Sequence, residues 1–99
     1  MKLYSVELSN LAEQDLLQIY LWIHGEAGEE TAERYFTKLE TAALSLQYFP
    51  ERGIPRFAIA PELRILIEGN YLILYRVDGD VVEVKRIVRG SVDLAQLFN

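Results

Sequence analysis

The sequence predicts an α+β domain with the order β-α-α-β-β-β and a short C-terminal tail. A helical hairpin is expected to pack on one face of a curved, mainly antiparallel sheet. Three observations predict it. Two β-rich runs, Tyr71–Val77 and Val81–Val88, flank Asp78-Gly79-Asp80, and Asp-Gly between such runs signals a hairpin with a type I′ turn. Two stretches of helical periodicity occupy the first half and are separated only by the short segment Gly25–Gly28. With 99 residues the chain has room for one domain with one modest core.

Each element has its own justification. Leu3-Tyr4-Ser5-Val6-Glu7-Leu8 reads as a short first strand. The first helix is expected over Asn10–His24, with Asn10 and Glu13 at capping-box spacing. Leu16, Ile19, Tyr20 and Ile23 recur at helical spacing and make one apolar face. Leu17, Leu21 and Trp22 widen that face, so the helix is either covered on more than one side or offers a surface to a partner. Gly25 and Gly28 break it around Glu26-Ala27.

The second helix is expected over Glu29–Tyr48. Glu29 and Glu30 complement the dipole of its first turn, and Ala32, Tyr35, Phe36, Leu39, Ala43 and Leu46 form its buried stripe. Pro50 ends it and pushes Phe49 toward extended geometry. Glu51–Glu62, with Gly53, Pro55 and Pro61, reads as a loop crossing one edge of the fold. Leu63–Ile67 is a short strand that turns at Glu68-Gly69-Asn70 into Tyr71–Val77. Tyr71, Ile73, Tyr75 and Val77 alternate with Leu72, Leu74 and Arg76. Both faces of that strand are mainly apolar, which predicts a central strand covered on both sides. In the last strand Val82, Val84 and Val88 are expected to share a face with Arg86, and Val81, Glu83, Lys85 and Ile87 to face the other way.

Composition excludes several classes. Half the residues are hydrophobic, against the pattern of a disordered chain. No apolar run approaches the roughly 18 residues that span a bilayer, and the N-terminus lacks the pattern of a signal peptide. There is no cysteine, hence no disulfide framework, thiolate metal site or cysteine nucleophile. These features fit a cytoplasmic protein. Residues 1–51 hold nine acids against three bases, and residues 52–99 six acids against seven bases. The net charge of −5 weighs against a chain that grips nucleic acid by itself, because phosphate contacts supply most of such affinity.

Few residues are placed for chemistry. His24 is the only histidine and lacks metal-ligand company; the reading favoured is a helix-end or surface residue. Ser5, Ser9, Ser45 and Ser91 have no nucleophile-elbow setting, and Gly25-x-x-Gly28 is no phosphate loop. Arg64, Arg76, Arg86 and Arg89 fall in or beside the expected sheet. They read either as ion-pairing residues or as a contact patch for an acidic partner segment or phosphate. If the hairpin turns at Gly79-Asp80, Arg76 faces Glu83; if it turns at Asp78-Gly79, Arg76 faces Val81. Arg86 is expected to pair with Asp93 and fix the tail.

The last third of the chain carries a more specific pattern. Tyr75-Arg76-Val77 is followed by Arg86-x-x-x-Gly90-x-x-Asp93-x-x-x-x-Phe98. With the helix start at Ser9–Leu16, the turn at Pro50-Glu51-Arg52-Gly53 and Leu63-Arg64, it resembles the ParE/RelE superfamily of bacterial toxins over nearly the whole chain. The resemblance implies the toxin of a type II toxin–antitoxin system of the kind linked to plasmid stabilization.

The RelE-like branch cuts mRNA on the ribosome with basic residues and a tyrosine and no metal. Its matching positions here are Leu72 after Tyr71, Val92 two places beyond Gly90, and Phe98, none of which moves a proton or binds a phosphate. The nearest base to its missing lysines is Arg64. The resemblance therefore favours the ParE-like branch, which acts by binding DNA gyrase, with no catalytic residue and no cofactor or metal of its own. It also implies a cognate antitoxin, with Leu17, Leu21, Trp22, Leu94, Leu97 and Phe98 as candidate liners of its groove. No direct nucleic-acid contact and no membrane association is expected. The acidic balance departs from related toxins, which are commonly more basic. A RelE-like mRNA interferase and a non-toxic binding module remain alternative readings.

Overall fold

The computed structural model describes residues 2–98. Its elements are β1 (Ser5–Leu8), α1 (Asn10–Ala27), α2 (Glu29–Leu44), β2 (Ile54–Pro55), β3 (Arg64–Glu68), β4 (Tyr71–Asp78), β5 (Val81–Arg89) and the single helical turn α3 (Leu94–Leu97). The strands form one open sheet in the order β1-β5-β4-β3-β2. β1 runs parallel to β5, and every other pairing is antiparallel. The α+β fold class and the element order predicted from sequence are observed, with β2 added.

Ser9, and not Asn10, caps α1. Its backbone is extended, and its hydroxyl accepts from the Ala12 amide at 3.0 Å. The same hydroxyl donates to the Lys85 carbonyl at 2.8 Å, so the cap also ties the helix start to β5. Serine and asparagine are both good caps; this bridge to a distant strand is what favours the earlier position. Gly25 is absorbed into α1, and Gly28 alone breaks the helix, at φ +91°. α2 stops at Leu44 and tightens into a 3₁₀ turn, Ser45–Gln47. Phe49, before Pro50, leaves the helical region at φ −135°, ψ 73°.

The predicted loop Glu51–Glu62 holds a two-residue edge strand, with Ile54 opposite Ile65 and Pro55 opposite Arg64. Proline is tolerated there because an edge strand can spare a donor. The β4–β5 hairpin turns at Gly79-Asp80, with Asp78 opposite Val81. Only Gly79 of the pair has positive φ (+59°), so this is the glycine-first pattern of a type II′ turn and not the predicted type I′.

A bulge corrects the face assignment in β5. Tyr75 pairs with Val84 while Leu74 pairs with Arg86, leaving Lys85 unmatched. The alternation slips there. Val82, Val84 and Ile87 join the core beneath the helices, whereas Val88 belongs to the cluster on the other face. The helix-side core also takes Ala12, Leu16, Leu39, Ala43 and Leu46 from the helical half and Tyr71, Ile73 and Tyr75 from β4. The second cluster is Leu63, Ile65, Leu74 and Val88, with Leu94, Leu97 and Phe98 packed against it. β4 is thus covered on both faces, as its sequence predicts.

Tyr75 locks the loop after α2 to the sheet. It is fully buried; its hydroxyl donates to the Pro50 carbonyl at 2.6 Å and accepts from the Gly53 amide at 2.9 Å. Burial pushes this hydroxyl's pKa above its usual value, with the Gly53 hydrogen bond opposing. A methyl group at Gly53 would collide with the tyrosine ring, which explains glycine at that position.

Candidate functional site

The main concave surface lies where the β3–β4 turn and the end of β5 meet α1. Trp22 projects from the exposed side of α1, and the Arg89 guanidinium lies 3.9 Å from its ring centroid. A depression of about 560 Å³ opens beside them, lined in addition by Ile67, Asn70, Tyr71, Leu72, Gly90 and Ser91. A second depression of about 390 Å³ adjoins it, shares Trp22, Tyr71 and Arg89, and reaches Asp15, Gln18 and Val92. The end of β5 stays paired with the β3–β4 turn here, the Gly90 amide donating to the Asn70 carbonyl at 2.9 Å.

The floor is held by one ion pair. Arg86 donates through Nε and Nη2 to both Asp15 oxygens at 2.7 and 2.9 Å, and the Ile87 amide donates to the same carboxylate at 3.0 Å. Hydrogen bonding to Asp15 raises the pKa of Arg86 further above its usual value. The expected Arg86–Asp93 pair is therefore corrected. Asp93 instead caps the last helical turn by accepting from the Ala95 amide at 3.2 Å. The reason is the alternation of β5: Arg86 follows Val82 and Val84 onto the helix side of the sheet, where the Asp15 carboxylate on α1 meets it bidentately, away from the tail on the other face.

Two other arginines are also engaged. Arg64 donates to the carbonyls of Glu51 and Gly53 at 3.0 and 3.1 Å and lies over the Phe57 ring. Arg76 contacts Glu83 at 3.3 Å and Asp78 at 3.4 Å, as the Gly79-Asp80 register requires. Of the four arginines singled out from sequence, Arg64 is held only by backbone carbonyls, and neither it nor Arg89 has a carboxylate partner among the described residues; Arg89 is held only by the Trp22 ring. Arg89 is therefore the one whose guanidinium hydrogen bonds are uncommitted. It sits on the wall of the concave surface, backed by an aromatic ring that holds its plane.

The six apolar candidates divide into separate groups. Leu17 and Leu21 are more than half exposed on the outer side of α1. Leu17 borders a groove against α2 and Trp22 borders the Arg89 surface. Leu94, Leu97 and Phe98 lie half-buried against the far face of the sheet. Among the described residues, no three His, Cys, Asp or Glu side chains gather as a metal set would require. Among the described residues, no helix is long and apolar enough to cross a membrane.

Asp15 and Trp22 were not linked to the sheet by sequence reasoning. A signal was present: Asp15, Ile19 and Trp22 stand at i, i+4 and i+7, one polar member in an otherwise apolar row.

A family model described as the ParE toxin of the type II toxin–antitoxin system, parDE, matches residues 6–94. The chain belongs to this ParE toxin family. Toxin ParE3 of Caulobacter vibrioides is 28% identical over 81 residues, which cover 82% of this chain and 81% of the relative. The chromosomal ParDE toxin–antitoxin system of P. aeruginosa contains a chain 26% identical with a TM-score of 0.78, over 88% of this chain and 96% of that one. The toxin–antitoxin complex RelBE2 of Mycobacterium tuberculosis shares the fold at 22% identity and a TM-score of 0.70, covering 88% and 98%. The protein is thus a type II toxin of the ParE/RelE superfamily.

For this ParE-family toxin the positions of the RelE-like working groups are informative. Leu72 and Val92 both line the concave surface, from its two adjoining depressions. Phe98 is elsewhere, beside Ala60, Pro61 and Leu63 under the tail.

Proposed function

We propose that this toxin acts by binding a protein, DNA gyrase, in the bacterial cytoplasm, and that a cognate antitoxin neutralises it. The observation that carries the reading is the chemistry of the concave surface. Leu72 and Val92 stand on its walls, where they can neither shuttle a proton nor stabilise a developing phosphorane. Arg89 is the one uncommitted sheet arginine there, and a single cation falls short of what hydrolysis or transfer at a phosphodiester needs. An arginine backed by tryptophan suits instead a protein interface, where both residue types concentrate binding energy. The similarity to Toxin ParE3 and to the ParDE system supports the same reading.

The antitoxin would cover the exposed outer side of α1, where Leu17, Leu21 and Trp22 are 55%, 58% and 52% exposed. Leu94, Leu97 and Phe98 already rest on the sheet and have less apolar surface to give.

The test is a gyrase reaction on supercoiled plasmid with purified, antitoxin-free protein. Cleaved DNA should accumulate with wild type, and Arg89→Ala should weaken the effect by about tenfold, the loss of one interface anchor. No cleavage at saturating protein removes gyrase as the target. Message cleavage on translating ribosomes would replace this reading with the RelE-like one.

A further inference from the structure

We infer that the sheet edge carrying Arg52, Arg56 and Arg64 contacts the sugar–phosphate backbone of the DNA that gyrase holds. The inference rests on the gyrase reading above and adds a second contact to it, away from the concave surface.

β2 lies along the start of β3, with Pro55 opposite Arg64, and the Arg56 amide donates to the Leu63 carbonyl at 2.9 Å. Arg56 and Arg64 therefore stand one residue step apart across this edge. Arg64 reaches back to the Glu51 and Gly53 carbonyls at 3.0 and 3.1 Å. Arg52 belongs to the same loop and donates to the Ser45 hydroxyl. The charges of Arg52 and Arg64 both oppose the upward shift of the Tyr75 pKa, so both stand near that hydroxyl. Arg52 and Arg56 are exposed, and Arg64 is half-buried.

These arginines lack an acid. Lys2, Arg76, Lys85 and Arg86 each have a carboxylate partner, whereas Arg52, Arg56 and Arg64 have none among the described residues. Their hydrogen bonds go to neutral oxygens, including one from Arg56 to the Pro55 carbonyl at 2.9 Å. Each guanidinium keeps its full charge and spare N–H donors for an anion. Glu51 and Glu62 are exposed on the same loop, and neither forms an ion pair with them. Phe57 is 51% exposed, with its ring 5.6 Å from the Arg64 guanidinium. Arginines around an exposed aromatic ring suit a nucleic-acid strand, whose phosphates take the cations and whose sugars or bases take the ring.

The rest of the chain decides where such a strand comes from. With a net charge of −5, and nine acids in residues 1–51, the protein repels a free duplex over most of its surface. Three arginines hold a few phosphates only when another protein has already placed the duplex, which gyrase does. Ile67, on the wall of the concave surface, is three residues along β3 from Arg64, about 10 Å. A partner seated on that surface has the arginine edge within reach of the DNA it carries. An acidic protein segment would meet the arginines without DNA, and the experiment separates the two.

The experiment measures binding of the full chain to immobilised gyrase holoenzyme, free and loaded with a linear DNA duplex. Wild type is compared with Arg52→Gln/Arg56→Gln, with Arg56→Glu, and with Arg34→Gln/Lys38→Gln, which removes the same charge from exposed positions of α2. Thermal melts confirm that the variants fold. Wild type and the α2 variant should bind loaded gyrase about tenfold more tightly than free gyrase, and both edge variants should lose that gain while binding free gyrase as wild type does. Two phosphate contacts give a slope of about −1.8 in log K against log salt, so raising salt from about 0.1 to about 0.3 M should remove about sevenfold of the gain. An undiminished gain in the edge variants overturns the inference and leaves the gyrase reading intact. Weaker binding of the edge variants to free gyrase also overturns it, since the arginines then meet protein. Absence of wild-type binding to gyrase in either form removes the gyrase reading itself, and the DNA contact with it.

Discussion

Among the described residues, the core cluster on the helix-covered face of the sheet holds eleven buried side chains, and the cluster beneath the tail holds four. The first cluster joins two long helices to β4 and β5, so each residue is held by neighbours from several elements. The second is roofed by the loop after β2 and by the tail, whose Leu94, Leu97 and Phe98 are only half-buried. A periodic helix delivers a whole apolar stripe at once, whereas a tail must order each residue separately against its own chain entropy. The difference teaches where the toxin's stability resides: under the helices, with the far face as a lighter cover.

Paired truncations test that contrast most severely. Ile73 is fully buried beneath the helices, and Ile73→Ala should cost about 2–5 kcal/mol, read from urea unfolding. Leu97, half-buried under the tail, should cost about 1 kcal/mol as Leu97→Ala, since only part of its transfer free energy is lost. Equal losses at the two sites would show that the faces form one cooperative core of uniform strength.

The next effect in size concerns the link between α1 and β5. The Asp15 carboxylate takes three hydrogen bonds, two of them from Arg86, and the two side chains are only 12% and 26% exposed. Asp15→Ala should cost about 1–3 kcal/mol by leaving the guanidinium and the Ile87 amide without their acceptor. A double-mutant cycle with Arg86→Ala should return a coupling energy; additive losses would make the pair incidental. Among the described residues the far face has no equivalent bond to its tail, so no single polar substitution there should cost as much.

The legibility of the fold follows the same division. The two helices, the hairpin and the two-sided burial of β4 can be read from local periodicity, because apolar spacing is set by the geometry of each element. The slip at Lys85 cannot be read that way. Val82, Val84, Arg86 and Val88 continue a regular alternation, and only the pairing with Leu74 and Tyr75 reveals the extra residue. β2 was hidden because two residues, one of them proline, carry no period. In the concave surface, Leu72 and Val92 could be singled out by their chemistry. The stacking of Arg89 on Trp22 and the Arg86–Asp15 pair could not, since each joins residues more than sixty positions apart through a register the sequence does not print. Arg76 is the intermediate case: two registers were possible, and the Gly79 turn selected the one facing Glu83.

That pairing gives the smallest effect and the sharpest sign. Glu83 lies between Lys85 at 2.9 Å and Arg76 at 3.3 Å. The hydrogen bond from Lys85, aided by both positive charges, holds its carboxyl below the usual carboxylate range, with desolvation opposing. A folded-state pKa lowered in this way stabilises the protein at every pH above the unfolded-state value, and the contribution disappears as acid carries the solution down through the folded-state value. The cluster is partly exposed, so its worth is about 0.2–1 kcal/mol and should shrink in high salt. Glu83→Gln should therefore lower stability slightly at pH 7 and unfold with a shallower loss on acidification than wild type. Urea midpoints measured from pH 7 down to pH 3 check this. A variant whose acid limb runs parallel to wild type would show that the Glu83 cluster contributes nothing to the pH dependence of folding.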